Sequence, residues 1–292
     1  MIEGHITVEN GAALEANGAD QPMPWWSFAK TVIAAAALAL VAKGRLALDE
    51  ALPGRPYTLR QLLQNRAGVP NYGGLAAYHE AVTRGEDPWP VEELLERAGA
   101  DWLRFPPGQG WEYSNIGYLF ARQCVERAAG EEFGVALERL VLAPLGIEGV
   151  RFARRRADLE GIRGVIEGYH PGWVYHGLLV GPLRAACLLL DRVMSGGLLP
   201  TRLLDAMRDA HRLGGKIADR PWQTHGYGLG LMIGTVTGGA RALGHTGGGP
   251  GSVCAIYHFP GGTRPRTAAA FALGSHEGLV ENGAVTQGTR AR

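Results

Sequence analysis

One stretch of the chain, residues 28–43, is apolar on nearly every face that a helix would present. It is rich in alanine and leucine, and it is followed by Gly44, a residue typical of helix C-termini. A helix without a polar face must be covered on all sides, so we expect this one at the centre of the core.

Alternating apolar and polar positions predict strands at both ends of the chain. Residues 5–8 and 12–14 flank an Asn10-Gly11 pair, which is a strong signal for a hairpin. Near the other end, the same alternation predicts three more strands, with a Gly261-Gly262 turn between the last two, at residues 227–233, 253–259 and 267–273. Residues 281–292 are expected to be weakly ordered.

The middle of the chain, residues 45–223, has mostly helical patterns punctuated by glycine and proline. Helix start and stop signals place helices at 59–65 behind a Thr58 cap, at 91–98, at 116–129, at 182–196 and after Thr201. The early and late strands can share one antiparallel sheet on which the buried helix packs. We therefore predict an α+β fold with three α/β/α layers, an antiparallel sheet of about five strands flanked by helices, and a mostly helical subdomain.

We expect this fold to form a single unit over residues 1–292, with an α/β part made of 1–44 plus 224–292 and a mostly helical part at 45–223. A formal net charge of +1 and 20% charged residues provide no basic surface for nucleic acid. The longest apolar run, residues 31–42, is shorter than the ~20 residues that span a bilayer. The first residues lack the order of a secretory signal, so we expect a cytoplasmic protein without a membrane partner.

The cysteines and histidines give no metal-binding pattern. Cys124, Cys187 and Cys254 are widely separated, which favours buried free thiols over disulfides or a zinc site. His170, His176 and His225 also lack the spacing of metal ligands, and they are not assigned to the site. No metal or cofactor is expected.

The first candidate for chemistry is a Ser-x-x-Lys motif, Ser27 to Lys30, at the start of the buried helix. Only three of the 29 basic residues are lysines, so each one is less easily explained as surface filler. Residues three apart share a helix face, and both burial and the helix start lower the pKa of Lys30. A neutral lysine can take the serine proton. The alternative is that Ser27 caps the helix while Lys30 extends to the surface.

Two more clusters lie further along the chain. In Tyr113-Ser114-Asn115 a tyrosine can relay a proton, and the amide of Asn115 can hold a substrate carbonyl and the lysine. The alternative is that Asn115 caps a helix and Tyr113 packs. The glycine-rich segment 244–251 lets a ligand approach the strand edge, where backbone N–H groups could complete an oxyanion hole. Its alternative is a plain hairpin loop.

The order of these motifs resembles that of the serine β-lactamase and penicillin-binding-protein superfamily, and specifically its class C-like branch. Ser-x-x-Lys opens a buried helix, Tyr-x-Asn lies in the helical middle, and His-Thr-Gly lies on a late strand. The similarity extends over residues 25–273. Further matching segments are Gly44-Arg45-Leu46-Ala47-Leu48-Asp49, Pro144-Leu145-Gly146, Gly168-Tyr169-His170 and Tyr227-Gly228-Leu229-Gly230.

The resemblance implies that Ser27 forms an acyl-enzyme while Lys30 and Tyr113 share the proton transfers. The backbone N–H groups of Ser27 and Gly248 would hold the oxyanion. The residues implied in substrate binding are Asn115, His245, Thr246, Gly247 and Gly248. Where β-lactamases of this branch have a lysine, this chain has His245, which is largely neutral near pH 7 and a weaker anchor for a carboxylate.

These features predict a serine hydrolase acting on small esters or amides, as in the esterase, carboxypeptidase and D-aminopeptidase members. A β-lactamase or a DD-carboxypeptidase-type penicillin-binding enzyme, acting on a β-lactam or a peptide, is the alternative. A second alternative is a non-catalytic ligand-binding protein on the same scaffold. Relatives usually end with a helix packed on the sheet, so the polar C-terminus leaves the cover of that sheet face in doubt.

Overall fold

The computed structural model describes residues 1–261 and 264–290. The strands are β1 (Ile2–Glu9), β2 (Ala12–Asn17), β3 (Pro22–Pro24), β4 (Arg151–Ala153), β5 (Leu178–Pro182), β6 (His211–Gly214), β7 (Trp222–Tyr227), β8 (Met232–Val236), β9 (Arg241–Gly249), β10 (Ser252–Phe259) and β11 (Arg266–Leu273). The helices are α1 (Ala29–Ala42), α2 (Leu59–Leu63), α3 (Ala76–Thr83), α4 (Val91–Arg97), α5 (Asn115–Ala129), α6 (Phe133–Leu137), α7 (Leu183–Met194), α8 (Thr201–Arg208) and α9 (Glu277–Thr289). None of these helices is long and apolar enough to cross a membrane.

The local signals in the sequence predict several elements correctly. Asn10 and Gly11 have φ values of 53° and 75°, as a tight turn between β1 and β2 requires. Thr58 forms a capping box with Gln61 at the start of α2. The helix predicted at 28–43 is α1, and its residues Ala29 to Leu40 are all buried. The predicted α+β class with flanking helices is confirmed.

The main sheet is larger than predicted, because it has eight antiparallel strands in the order β2-β1-β11-β10-β9-β8-β7-β6. A second sheet has the order β3-β5-β4. The predicted strand at 227–233 is wrong, since β7 ends at Tyr227 and β8 begins at Met232. Between them, the Gly230 carbonyl accepts a hydrogen bond from Thr31 Oγ1 at 2.6 Å, so the segment leaves the ladder and docks on α1.

Other predictions concern the division of the chain into two parts and the turn before β11. β6 joins the main sheet although it lies in the part, 45–223, that the sequence assigns to helices. The division into 1–44 plus 224–292 and 45–223 stays a prediction. Of the predicted Gly261-Gly262 turn, Gly262 lies outside the described residues.

The prediction of a weakly ordered C-terminus over 281–292 is wrong as far as Thr289, because α9 packs on the sheet face opposite α1, and residues 291–292 lie outside the described residues. Its small residues allow this close approach: a Cβ at Gly288 would lie 2.1 Å from the Phe259 ring. Alternate residues of β10 divide between the two faces, with Val253 and Ala255 packed with α9 and Cys254 and Ile256 with the core around α1. The helix therefore covers the face that the sequence left in doubt.

A buried carboxylate, Glu281, fastens α9 to the sheet. Its side chain is fully buried and accepts hydrogen bonds from Arg220 Nε at 2.6 Å and from Trp222 Nε1 at 3.2 Å. The hydroxyls of Thr246 and Tyr257 also donate to it, at 2.5 and 2.6 Å. Burial acts to raise the pKa of Glu281, but the hydrogen bonds and charge of Arg220 outweigh it and hold the pKa below its usual 4.5.

Replacing this carboxylate should destabilise the protein in a pH-dependent way. In Glu281→Gln the fully buried carboxylate is lost, and the half-buried Arg220 keeps only its contact with Glu277, so we expect the free energy of unfolding at neutral pH to fall by about 3 kcal/mol. Because the folded-state pKa of Glu281 is lowered, its contribution is present above 4.5 and is lost as the pH falls through the lowered value. Urea denaturation at several pH values measures both effects.

Glu277→Gln is the matched control for this experiment, because Glu277 contacts the same Arg220, at 2.8 Å, from a more exposed position. It should lower stability by less than about 1 kcal/mol. A difference between wild type and Glu281→Gln that stays the same at acidic and neutral pH would contradict the prediction.

Candidate active site

The candidate nucleophile Ser27 lies on a short 3-10 turn, Trp26–Phe28, directly ahead of α1. Trp26 has a φ of 44°, in the left-handed region that a bulky residue rarely occupies. Its indole Nε1 donates a hydrogen bond to Ser252 Oγ at 3.0 Å, which ties the turn to β10. Ser27 itself is half-buried, so its hydroxyl is within reach of a ligand.

Lys30 is fully buried one turn further along, and its Nζ lies within hydrogen-bond distance of Ser27 Oγ, at 3.1 Å. Burial lowers the pKa of Lys30 well below its usual 10.5. Both alternatives raised by the sequence fail here. The N-cap of α1 is Phe28, without a side-chain hydrogen bond, so Ser27 is not a cap. With no exposed surface, Lys30 does not extend to solvent.

Tyr113 completes a cluster with these two residues. The centroid of its ring lies 4.9 Å from Lys30 Nζ. Burial raises the pKa of Tyr113 well above its usual 10, Tyr227 acts in the same direction, and a hydrogen bond with Ser27 acts against it. The phenol therefore keeps its proton at neutral pH and can donate it.

The glycines of β9 make room for the turn that carries Ser27. A Cβ at Gly247 would lie 2.5 Å from the carbonyl oxygen of Trp25, and one at Gly249 would lie 2.4 Å from the indole of Trp26. β8 pairs with β9 only as far as Gly244, so the edge of β9 beyond that point faces the turn before α1. The close approach of Trp25 and Trp26 therefore explains two glycines of the motif, Gly247 and Gly249. The hairpin loop is limited to Pro250 and Gly251, which join the paired strands β9 and β10, since the rest of the segment is strand.

His245 lies on the same side of β9, facing Tyr113 at 6.2 Å between ring centroids. A carbonyl only accepts, so Nδ1–H donates to Thr246 O at 2.6 Å and Nε2 accepts from the Tyr227 hydroxyl at 2.9 Å. Burial, followed by the charge of Lys30, lowers the pKa of His245 to about 3. The imidazole is neutral, as the sequence indicated.

Two predicted site residues occupy different surroundings from those that the motif suggested. Thr246 directs its hydroxyl to Glu281 on the opposite sheet face, so only its backbone is available near Ser27. Gly248 lies on that face too, near Glu277. Their roles in substrate binding stay predictions.

Asn115 lies at the start of α5, where its backbone N–H donates to Asn71 Oδ1 at 3.1 Å. The helix cap is Ser114, whose Oγ accepts from Gly117 N at 2.8 Å, so the cap role suggested for Asn115 belongs to its neighbour. Among the hydrogen bonds of the described residues, none joins Asn115 to Lys30. Its role in orienting a substrate stays a prediction.

The structure adds His176, which the sequence analysis left out of the site. His176 is buried, and its Nε2 lies 3.1 Å from Lys30 Nζ. The two residues are 146 positions apart, so no local spacing relates them. The three cysteines are buried and free, and the described residues contain no group of three or more His, Cys, Asp or Glu that could hold a metal.

Curated relatives match about half of the chain. Penicillin-binding protein 4* of Bacillus subtilis (strain 168) is 30% identical over 134 residues, covering 44% of this chain and 28% of that protein. Esterase EstB of Burkholderia gladioli is 33% identical over 146 residues, covering 43% of this chain and 37% of that protein. The matched part thus spans about a third of the length of these relatives.

A solved structure shows the same fold over nearly the whole chain. The D-stereospecific amidohydrolase from Streptomyces sp. has a TM-score of 0.74 at 21% identity, covering 99% of this chain and 94% of that one. The family model described as Beta-lactamase matches residues 4–258. That match takes in all three motifs and most of the chain, which confirms the resemblance: the chain belongs to the beta-lactamase family.

Proposed function

We propose that this protein is a serine hydrolase that cleaves small esters or amides through an acyl-enzyme on Ser27. The observation that carries the proposal is the contact of 3.1 Å between Ser27 Oγ and the fully buried amine of Lys30. An amine whose pKa is lowered by burial is neutral in a larger fraction of molecules, and only the neutral amine accepts a proton.

In the proposed reaction Lys30 Nζ removes the proton of Ser27 as Oγ attacks the carbonyl carbon of the substrate. The backbone N–H groups of Ser27 and Gly248 stabilise the oxyanion that forms. The Tyr113 phenol, protonated at neutral pH, delivers a proton to the leaving alcohol or amine and is recharged from Lys30. Water then attacks the acyl-enzyme by the reverse sequence and releases the acid.

The substrate groups are proposed to contact the rim of this cluster. Asn115 orients the substrate from the start of α5, while Thr246 and Gly247 contribute backbone atoms from β9. Neutral His245, already engaged by Tyr227, offers no positive charge to a substrate carboxylate. The arrangement therefore favours uncharged esters and amides, in line with the likeness to an esterase.

Replacing the nucleophile gives the direct test of this function. Ser27→Ala should lower the rate of p-nitrophenyl acetate hydrolysis by about a thousandfold or more, because the proposed acyl-enzyme forms on the hydroxyl that this change removes. Wild-type kcat/KM should fall as the pH drops through the lowered pKa of Lys30, since the protonated amine is no longer a base. Initial rates over a range of pH values measure both effects.

Ser195→Ala, a change at an exposed serine after α7, serves as the control and should keep wild-type activity. Intact-mass spectra of the wild type during turnover should contain an acetylated species that Ser27→Ala lacks. Equal activity in wild type and Ser27→Ala would overturn the proposal. Ligand binding without turnover or adduct would instead support the non-catalytic alternative.

The neutrality of His245 gives a second, independent test. The ratio of kcat/KM for an anionic ester, p-nitrophenyl hemisuccinate, to that for p-nitrophenyl acetate should stay constant within about twofold from about pH 8 to about pH 5, because His245 remains uncharged throughout. Using a ratio cancels the titration of Lys30, which affects both esters.

A ratio that rises as the pH falls through about 6.5 would show a histidine becoming charged at its ordinary pKa, against this expectation. Hydrolysis of a chromogenic cephalosporin faster than that of both esters would favour the β-lactamase alternative. The likeness to a penicillin-binding protein makes that comparison necessary.

A further inference from the structure

The buried amine of Lys30 has a second partner besides Ser27. His176, which immediately precedes Gly177 and β5, places its Nε2 3.1 Å from Nζ. Both side chains are almost completely buried, so water does not compete freely for this contact. The remaining neighbours of Nζ include the ring faces of Tyr113 and Tyr118, at 4.9 and 5.6 Å from their centroids.

We infer that His176 is a positioning residue for the hydrolytic reaction: its Nε2 accepts an N–H from Lys30 and holds the lone pair of the amine toward Ser27. The inference rests on the proposed function. A neutral amine has two N–H groups and one lone pair. Holding one N–H at Nε2 limits rotation about the terminal C–N bond, so the lone pair is kept available to the serine proton.

His176 can play this part only if Nε2 carries no proton. Burial lowers the pKa of His176 well below its usual 6.5, and the charges of Lys30 and Arg122 act in the same direction, so the ring is neutral and carries one proton. The proposal places that proton on Nδ1, which has no hydrogen-bond partner among the described residues. Tyr113 and Tyr118 face Nζ with their rings, Arg122 and His245 lie close enough for their charges to act on His176, and Tyr227 is bonded to His245. The tyrosines keep their protons, because burial raises their pKa values, and His245 is neutral.

The contact also assigns a role that the sequence gave to a different residue. The motif suggested that the amide of Asn115 holds the lysine, but the described hydrogen bonds of Lys30 Nζ are to Ser27 and His176. An imidazole acceptor without charge supports the amine and adds no negative charge that would raise its pKa strongly. The base therefore stays partly neutral while its direction is fixed.

The scarcity of lysine allows the effect on Lys30 to be measured directly. With only Lys30, Lys43 and Lys216 in the chain, a sample carrying 13C at the lysine ε carbon gives three NMR signals. In His176→Phe, which keeps a buried ring without an acceptor, the pKa of Lys30 should fall by about one to two pH units, because the ammonium form loses a hydrogen bond. The other two lysines should not shift.

Kinetics supply the second readout. In His176→Phe, kcat for p-nitrophenyl acetate should fall about tenfold or more while KM changes little, and the acidic limb of kcat/KM should move to lower pH. His176→Gln should restore most of both properties, since the side-chain oxygen of glutamine can reach the position of Nε2 and accept the same N–H. A purely structural role would not distinguish these two variants.

His258→Phe is the matched control, because His258 is another buried histidine, bonded to Thr267 Oγ1 at 2.9 Å on β10. It should cost stability while leaving kcat and the Lys30 pKa unchanged. If His176→Phe does not fold, His176→Met removes the acceptor with a more adaptable side chain. An unchanged Lys30 pKa in either folded variant, or equal defects in His176→Phe and His176→Gln, would overturn the inference.

The two readouts keep the inference separate from the proposed function. If Ser27→Ala retains activity, the hydrolase proposal fails, and the NMR titration still reports whether His176 holds the amine. If Ser27→Ala is inactive and His176→Phe leaves both the Lys30 pKa and kcat unchanged, only the positioning role fails.

Discussion

The site depends on the burial of the Lys30 amine in the core around α1, a helix that has no polar face. An ammonium ion in such surroundings loses its hydration, so burial lowers the free-energy cost of converting it to the neutral amine. The sequence provides this by placing the lysine at the start of α1, where every following residue to Leu40 is buried. The same constraint orders the neighbourhood, since the amine needs partners that are polar but not charged. Ser27, Tyr113 and His176 meet that need.

Strand β9 contacts a different part of the chain on each face of the main sheet. On the inner face, Gly247 and Gly249 leave the space that Trp25 and Trp26 occupy, so the turn that carries Ser27 lies directly on β9. On the outer face, Thr246 bonds to the buried carboxylate of Glu281. A single strand thus carries the site on one side and the anchor of α9 on the other.

How much of this structure the sequence predicts depends on how far apart along the chain the interacting residues lie. The buried helix, the Asn10-Gly11 turn and the Thr58 cap rest on neighbouring residues, and all three were predicted. So was the pairing of Ser27 with Lys30, because residues one helical turn apart must meet. The break between β7 and β8 depends on docking against α1, and α9 depends on small residues fitting a distant sheet. Neither leaves a periodic signal.

His176 shows why the rest of the site is not visible in the sequence. It is one histidine among nine, and only the fold brings the segment before β5 to the start of α1. Its environment parallels that of His245, since burial keeps both rings neutral. The histidines and tyrosines of the cluster do not change charge near neutral pH, so Lys30, whose pKa burial lowers well below 10.5, is the group left to act as the base in the proposed reaction. In that proposal the reactivity of Ser27 depends on the local environment of a single buried nitrogen.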